Sequence, residues 1–265
     1  MRDGFYGIAG AWDVANATHH EQFRASLLWM LSRARPDGIL PQMCPPPDPA
    51  DPAGSACDYG NGLCNDTVGA PGWQRCQDLD TMSFAIKLAH QIWSNLPPED
   101  AAAFYAQVSG PLAASAAGTQ RNPDGSRLLW SNTSAGAAII GYGFQDAEIK
   151  SGDVLYSNVL AWNASRLLAE MATAHGDHAL AANLTAEAAA ILVGVNGRLW
   201  NRTAGVFMAS TGVDRRNIDV WANAMAAAIG FADAAQSAKI FQFFKARETD
   251  IFYEGQVREI PKGQQ

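Results

Sequence analysis

The sequence predicts an all-α protein, an (α/α) toroid of paired helices with almost no sheet. Apolar residues recur at helical spacing in seven segments of the 265-residue chain. The loops joining them are extended and rich in glycine and aromatics, which suits a ring of hairpins better than a four-helix bundle with its short connections. Only one stretch reads as a strand pair. With 48% hydrophobic residues the chain can bury one large core, and it is read as a single domain over residues 1–265.

The first helix is expected from Trp12 to Leu31, where apolar side chains at 12, 14, 15, 23, 27, 28, 30 and 31 form a stripe that stops before Pro36-Asp37-Gly38. Residues 36–77 follow as a long turn-rich loop holding Pro45-Pro46-Pro47 and all four cysteines. Helices are expected at 78–95 and 98–117, parted by Pro97-Pro98, with Glu99 and Asp100 placed to favour a helix N-terminus. A turn at 119–127 and a Gly-rich stretch at 136–143 precede a helix over 150–175, which breaks at Gly176 and has a partner over 177–193. Leu199-Trp200-Asn201 with Gly205–Ala209 reads as a small hairpin, and helices at 217–230 and 232–247 complete the series.

A formal charge of −7 and no basic cluster longer than Arg215-Arg216 exclude nucleic acid as an expected partner. No unbroken apolar run reaches the roughly 18 residues of a membrane span, so no membrane insertion is expected. The acceptor pattern Asn-x-Ser/Thr occurs six times, at Asn16, Asn65, Asn132, Asn163, Asn183 and Asn201, among thirteen asparagines, where chance would give about one or two. Cys44, Cys57, Cys64 and Cys76 all fall in the 36–77 loop, which suits two disulfides in an oxidising compartment, with three pairings open. Their spacing contains no Cys-x-x-Cys knuckle and no nearby histidine, so no metal is expected. Together these features point to the secretory lumen or beyond, and the lack of an export leader reads as a chain incomplete at its N-terminus. Histidines 19, 20, 90, 175 and 178 have no metal-like spacing, no Gly-x-Ser-x-Gly elbow is present, and no nucleotide-binding glycine loop implies a cofactor. The sequence leaves the oligomeric state open.

The stretch Gly141-Tyr142-Gly143-Phe144-Gln145-Asp146-Ala147-Glu148, followed by the helix containing Ala161-Trp162-Asn163-Ala164-Ser165-Arg166, resembles the six-hairpin glycosidases, where a Gly-Phe-x-Asp loop opens onto an inner-ring helix. Ala11-Trp12-Asp13, the Asp37-Gly38-Ile39-Leu40-Pro41 loop, Gln77-Asp78-Leu79-Asp80 and Arg216-Asn217-Ile218-Asp219-Val220-Trp221 resemble other hairpin openings of that superfamily in order and spacing. The likeness is greatest to its α-L-rhamnosidase-like and glucosidase-like members. It implies a six-hairpin toroid, incomplete here with about seven helices, acting on O-glycosyl bonds.

Inverting hydrolysis needs a protonated carboxyl group at the leaving oxygen and a carboxylate that positions water, roughly 6.5 to 9.5 Å apart. The resemblance implies Asp146, flanked by Tyr142 and Phe144, as the acid, with Glu148 in reserve. A cap or loop-fixing carboxylate for a helix beginning near Lys150 is an equal reading for Asp146, with sugar binding without proton transfer between the two, and Asp13, Asp78, Asp80 and Asp219 each sit where an acidic residue would cap a helix. Taken together, Trp12, Asp13, Asp80, Tyr142, Phe144, Asp219 and Trp221 combine carboxylates with flat apolar faces, as sugar binding requires. Trp130 is placed with the cleft, while Trp93, Trp162 and Trp200 are assigned to packing. The base is left unassigned: the resemblance implies a late hairpin, expected beyond Gln265, while Asp250, Glu254 and Glu259 are the late carboxylates present and no motif marks one. Two other readings stay open, a non-catalytic carbohydrate-binding relic and another (α/α) toroid sugar enzyme such as a lyase or epimerase.

Overall fold

The computed structural model describes residues 17–41, 79–131, 150–212 and 215–264. Eight helices occur among these residues: α1 (Ala17–Ser32), α2 (Thr81–Ser94), α3 (Pro98–Gly118), α4 (Leu155–Ala174), α5 (His178–Arg198), α6 (Val220–Ala228), α7 (Ala234–Ala246) and α8 (Glu248–Ile251). The only sheet among them is three antiparallel pairs of two-residue strands: β1 (Trp130–Ser131) with β2 (Gly152–Asp153), β3 (Trp200–Asn201) with β4 (Val206–Phe207), and β5 (Phe252–Tyr253) with β6 (Gln256–Val257). The protein is all-α, as the periodicity predicts. The cysteines and the expected first turn at Trp12 lie outside the described residues.

The chain divides into two compact units, residues 1–120 with 164–186 and residues 121–163 with 187–265. In the first, α1, α2 and α3 pack against one another. Phe84, Ile86, Leu88, Phe104, Val108 and Leu112 are buried on them. Pro98 occupies the first turn of α3 with Glu99 and Asp100 beside it, where a missing N–H costs nothing and negative charge meets the positive helix end. Gly38 lies against this helix so closely that a Cβ there would overlap the Ala114 carbonyl, and its φ of +86° is also one that side chains resist. Trp93, assigned to packing, is half-buried and donates its indole N–H to His175 Nε2 at 2.8 Å. Tyr105 stacks on the same imidazole with centroids 4.6 Å apart. Gly176 and Asp177 then end α4 and start α5, Asp177 accepting from the Leu180 N–H at 3.1 Å.

The second unit repeats one device. Asn158 on α4 is fully buried; its amide accepts from the Leu129 N–H at 2.8 Å and donates to the Leu129 and Val154 carbonyls at 2.9 and 2.8 Å. Asn223 on α6 does the same, accepting from the Phe207 N–H at 2.8 Å and donating to the Phe207 and Asp219 carbonyls at 2.9 and 2.8 Å. Each asparagine thus satisfies both the N–H and the carbonyl of one extended residue, Leu129 or Phe207. Asp153 is held by Asn122 Nδ2 at 2.7 Å and Arg198 Nη1 at 2.8 Å. Arg198 also reaches Asp124. The hydroxyl and backbone N–H of Ser126, then Arg198, hold the Asp124 carboxyl down at about 2. Asp233 and Gln236 form a capping box at the start of α7.

Several features differ from expectation. The helix expected from 150 begins at Leu155, because Ser151 is buried in extended backbone and Gly152-Asp153 pair with β1. Gly152 has φ +77° and packs on Thr211 and Gly212, a geometry no helix could supply. α5 runs on to Arg198, beyond the expected 193; Gly194 lies against the Leu128 side chain. The β5–β6 hairpin was not foreseen. Its turn puts Glu254 and Gly255 at φ +49° and +79°, both left-handed, as a two-residue hairpin turn requires. Finally, α5 is long and apolar enough by averaged hydropathy to cross a membrane, although no unbroken run is. It carries Glu187, paired with Arg121, and buries a regular stripe of Ala181, Leu184, Ala188, Ile191 and Val195.

Replacing Asn223 with Leu should strip partners from the Phe207 N–H and carbonyl and cost about 2–4 kcal/mol. Urea unfolding of this variant beside Gln242→Ala, an exposed position, checks it; equal midpoints would contradict the bridging role of the amide.

Candidate functional site

Lys150 follows directly on the sequence that carries Asp146 and Glu148, and its side chain is fully buried. An ammonium taken out of water is tolerable only if charge and hydrogen bonds replace what it loses. Here Nζ donates to Asp219 Oδ2 at 2.7 Å and to Glu259 Oε1 at 2.8 Å. Burial by itself lowers the Lys150 pKa, but the attraction of Asp219 and then of Glu259 outweighs it, and the pKa rises above 10.5. The side chain of Glu259 is 20% exposed, while those of Lys150 and Asp219 are 0% exposed.

Each carboxylate is aimed by its backbone. Asp219 is the N-cap of α6, its Oδ1 accepting from the Ala222 N–H at 2.8 Å, so one carboxylate both starts the helix and grips Lys150. Glu259 lies beyond β6, where its carbonyl accepts from the Val220 N–H at 2.8 Å and the next residue, Ile260, is buried. Gln264 Oε1 accepts from the Ile218 N–H at 3.2 Å, closing the same segment over the start of α6. A rigid helix terminus, a buried cation and a fixed extended segment therefore hold Glu259 in one place.

The described candidate residues fall in different settings. Asp219 has both oxygens engaged, one in the cap and one on Lys150. Trp221, two residues on, is half-buried, as is Trp130 in β1. Asp80 departs from the capping expectation. It stands at the N-cap of α2 with helical backbone angles of −102° and −18°, its side chain makes no cap bond, and it is fully buried. Asp146, Glu148, Trp12, Asp13, Asp78, Tyr142 and Phe144 lie outside the described residues. The helix expected near Lys150 begins at Leu155. The described packing tryptophans Trp162 and Trp200 stand edge-on to Phe231 and Phe207 at 5.2 and 4.7 Å. Among the late carboxylates, Asp250 pairs with Arg247 at 2.9 Å, Glu254 occupies the hairpin turn, and Glu259 alone belongs to the Lys150 group.

Lys150 itself was missed by sequence reading, and no local pattern could have revealed it: its partners lie 69 and 109 residues away along the chain. Each of the two helix openings carries an asparagine four residues after the residue whose carbonyl it meets, Val154 to Asn158 and Asp219 to Asn223.

Lys150→Met strands two carboxylates and should cost about 3–5 kcal/mol in urea unfolding at neutral pH. Because the folded pKa is raised, the stabilisation by Lys150 is complete below about pH 10.5 and is lost as pH climbs through the folded value. Wild type should therefore lose more stability than Lys150→Met on going from pH 9 to about 11; parallel pH curves would contradict the pairing.

No curated protein matches the chain. A family model described as the mannosylglycerate hydrolase MGH1-like glycoside hydrolase domain matches residues 60–250, well over half of the sequence and including the Gly-Phe-x-Asp loop, Lys150 and Asp219. That match agrees with the six-hairpin resemblance and with the all-α structure. The chain belongs to the MGH1-like glycoside hydrolase domain family.

Proposed function

We propose that this glycosidase-type domain hydrolyses O-glycosyl bonds by exo-acting, inverting general acid/base catalysis, with Asp146 as the acid and Glu148 in reserve. The observation that carries the reading is the family match across the sequence holding Asp146. In the reaction the acid gives its proton to the glycosidic oxygen as the bond to the anomeric carbon breaks. A water oxygen attacks that carbon from the opposite face, and a carboxylate takes its proton. Trp12, Asp13, Asp80, Tyr142, Phe144 and Trp221 are proposed as sugar contacts. Asp219 supports the site by holding Lys150. Glu259, fixed and partly exposed, is proposed to accept hydrogen bonds from sugar hydroxyls. The base is unassigned, and no cofactor enters.

The six acceptor asparagines and the cysteine-bearing loop support passage through a secretory pathway. The family description names a mannosylglycerate hydrolase, so mannosylglycerate belongs on the substrate panel with nitrophenyl α-glucoside, α-mannoside and α-L-rhamnoside.

On whichever glycoside is turned over, Asp146→Asn should lower kcat by about 10²–10⁴-fold. Glu259→Gln should act mainly on KM. Saturable sugar binding by calorimetry with no turnover of any glycoside would replace the hydrolase reading with the non-catalytic binding one.

A further inference from the structure

Three of the six acceptor asparagines lie among the described residues, and the fold treats them differently. Asn163 on α4 is half-buried between buried Trp162 and Ala164, and Ser165 of its acceptor pattern is only 4% exposed. Asn201 is also half-buried. Its Oδ1 accepts from the Thr203 and Ala204 N–H groups at 3.0 Å each to shape the β3–β4 turn, and its Nδ2 faces Met208 Sδ at 3.6 Å. Asn183 is exposed on α5. Thr185 of the same pattern is exposed too, its hydroxyl donating to the Ala181 carbonyl at 2.8 Å.

Nothing in the packing asks for an asparagine at 183. The buried stripe of α5 is Ala181, Leu184, Ala188, Ile191 and Val195. The opposite face carries Ala179, Ala182, Asn183, Ala186, Ala189 and Val193, all exposed, Val193 at 73%. Asn and Thr are weaker helix formers than the alanines around them, so Asn-Leu-Thr costs helix stability with no compensating contact of the Asn183 side chain among the described residues. A bulky hydrophilic group at Asn183 would screen this long apolar face from other proteins.

We propose that Asn183 is an N-glycosylation site and that Asn163 is excluded from modification in the folded chain. The inference rests on the secretory part of the functional reading and is independent of glycosidase activity. The donor is an oligosaccharide linked through pyrophosphate to a lipid. The C1–O bond to the pyrophosphate breaks, Asn183 Nδ2 forms the new bond to C1 and loses one proton, and the lipid pyrophosphate departs; no electrons are exchanged. A helical, exposed asparagine leaves room for the glycan to stand away from the core. At Asn163 the acceptor is half-buried and the hydroxyl residue of its pattern, Ser165, is buried, which leaves less room.

The test is expression of the full chain through the secretory pathway of a eukaryotic host behind that host's leader. The secreted protein is then deglycosylated enzymatically in heavy-oxygen water and peptide-mapped by mass spectrometry, which marks each formerly glycosylated asparagine as labelled aspartate. Label is expected at Asn183 and not at Asn163. Asn183→Gln and, separately, Thr185→Ala should each remove one glycan's mass without changing turnover on any glycoside found active. An unlabelled Asn183, or comparable label at Asn163, would overturn the proposal. Absent turnover with label at Asn183 would overturn only the hydrolase reading.

Discussion

A buried ammonium group is the constraint around which the second unit is arranged. Lys150 cannot leave its site without taking solvation that the interior does not offer, and Asp219 and Glu259 would each lose a short charged hydrogen bond with it. Three distant stretches are therefore bound to one point: the segment after the Gly-Phe-x-Asp loop, the first turn of α6, and the extended segment beyond β6. Asp219 couples the electrostatic demand to helix formation, because the carboxylate that grips Lys150 also accepts the Ala222 N–H.

The buried amides of Asn158 and Asn223 answer a second demand. A fold made of helices and very short strands leaves stretches of backbone without a sheet partner, and each buried N–H or carbonyl left unmatched is costly. An asparagine side chain offers both a donor and an acceptor, and one placed a turn into each helix covers the segment at Leu129 or Phe207 as a neighbouring strand would. Glutamine would overreach and aspartate would lack the donor.

Most helices were legible in the sequence because their signals are local. Apolar stripes marked α2, α3 and α5, Pro98 with Glu99 and Asp100 marked a start, and Gly176 marked an end. The β5–β6 hairpin was not legible: its strands are two residues long and exposed, and its turn places a glutamate, not the usual asparagine or glycine, in the first left-handed position. The start of α4 was misplaced because Lys150 and Ser151 look like an ordinary polar opening, while their burial depends on residues far along the chain. For the same reason the carboxylates were legible as a set and their duties were not. Asp219 and Asp80 share a predicted capping position, yet one caps and the other is buried without capping.

The account ties the proposed sugar-facing carboxylate, Glu259, to the stability of the unit that carries it, so that site and scaffold unfold as one. Native-state hydrogen exchange tests this most directly at three amides: Val220, bonded to the Glu259 carbonyl, Ala222, bonded to Asp219, and Phe207, bonded to Asn223. The account predicts that all three exchange through one opening, with a single free energy matching that of unfolding in denaturant. Faster, independent exchange at Val220 and Ala222, with Phe207 still protected, would show that the Lys150 clamp opens locally and does not organise the unit.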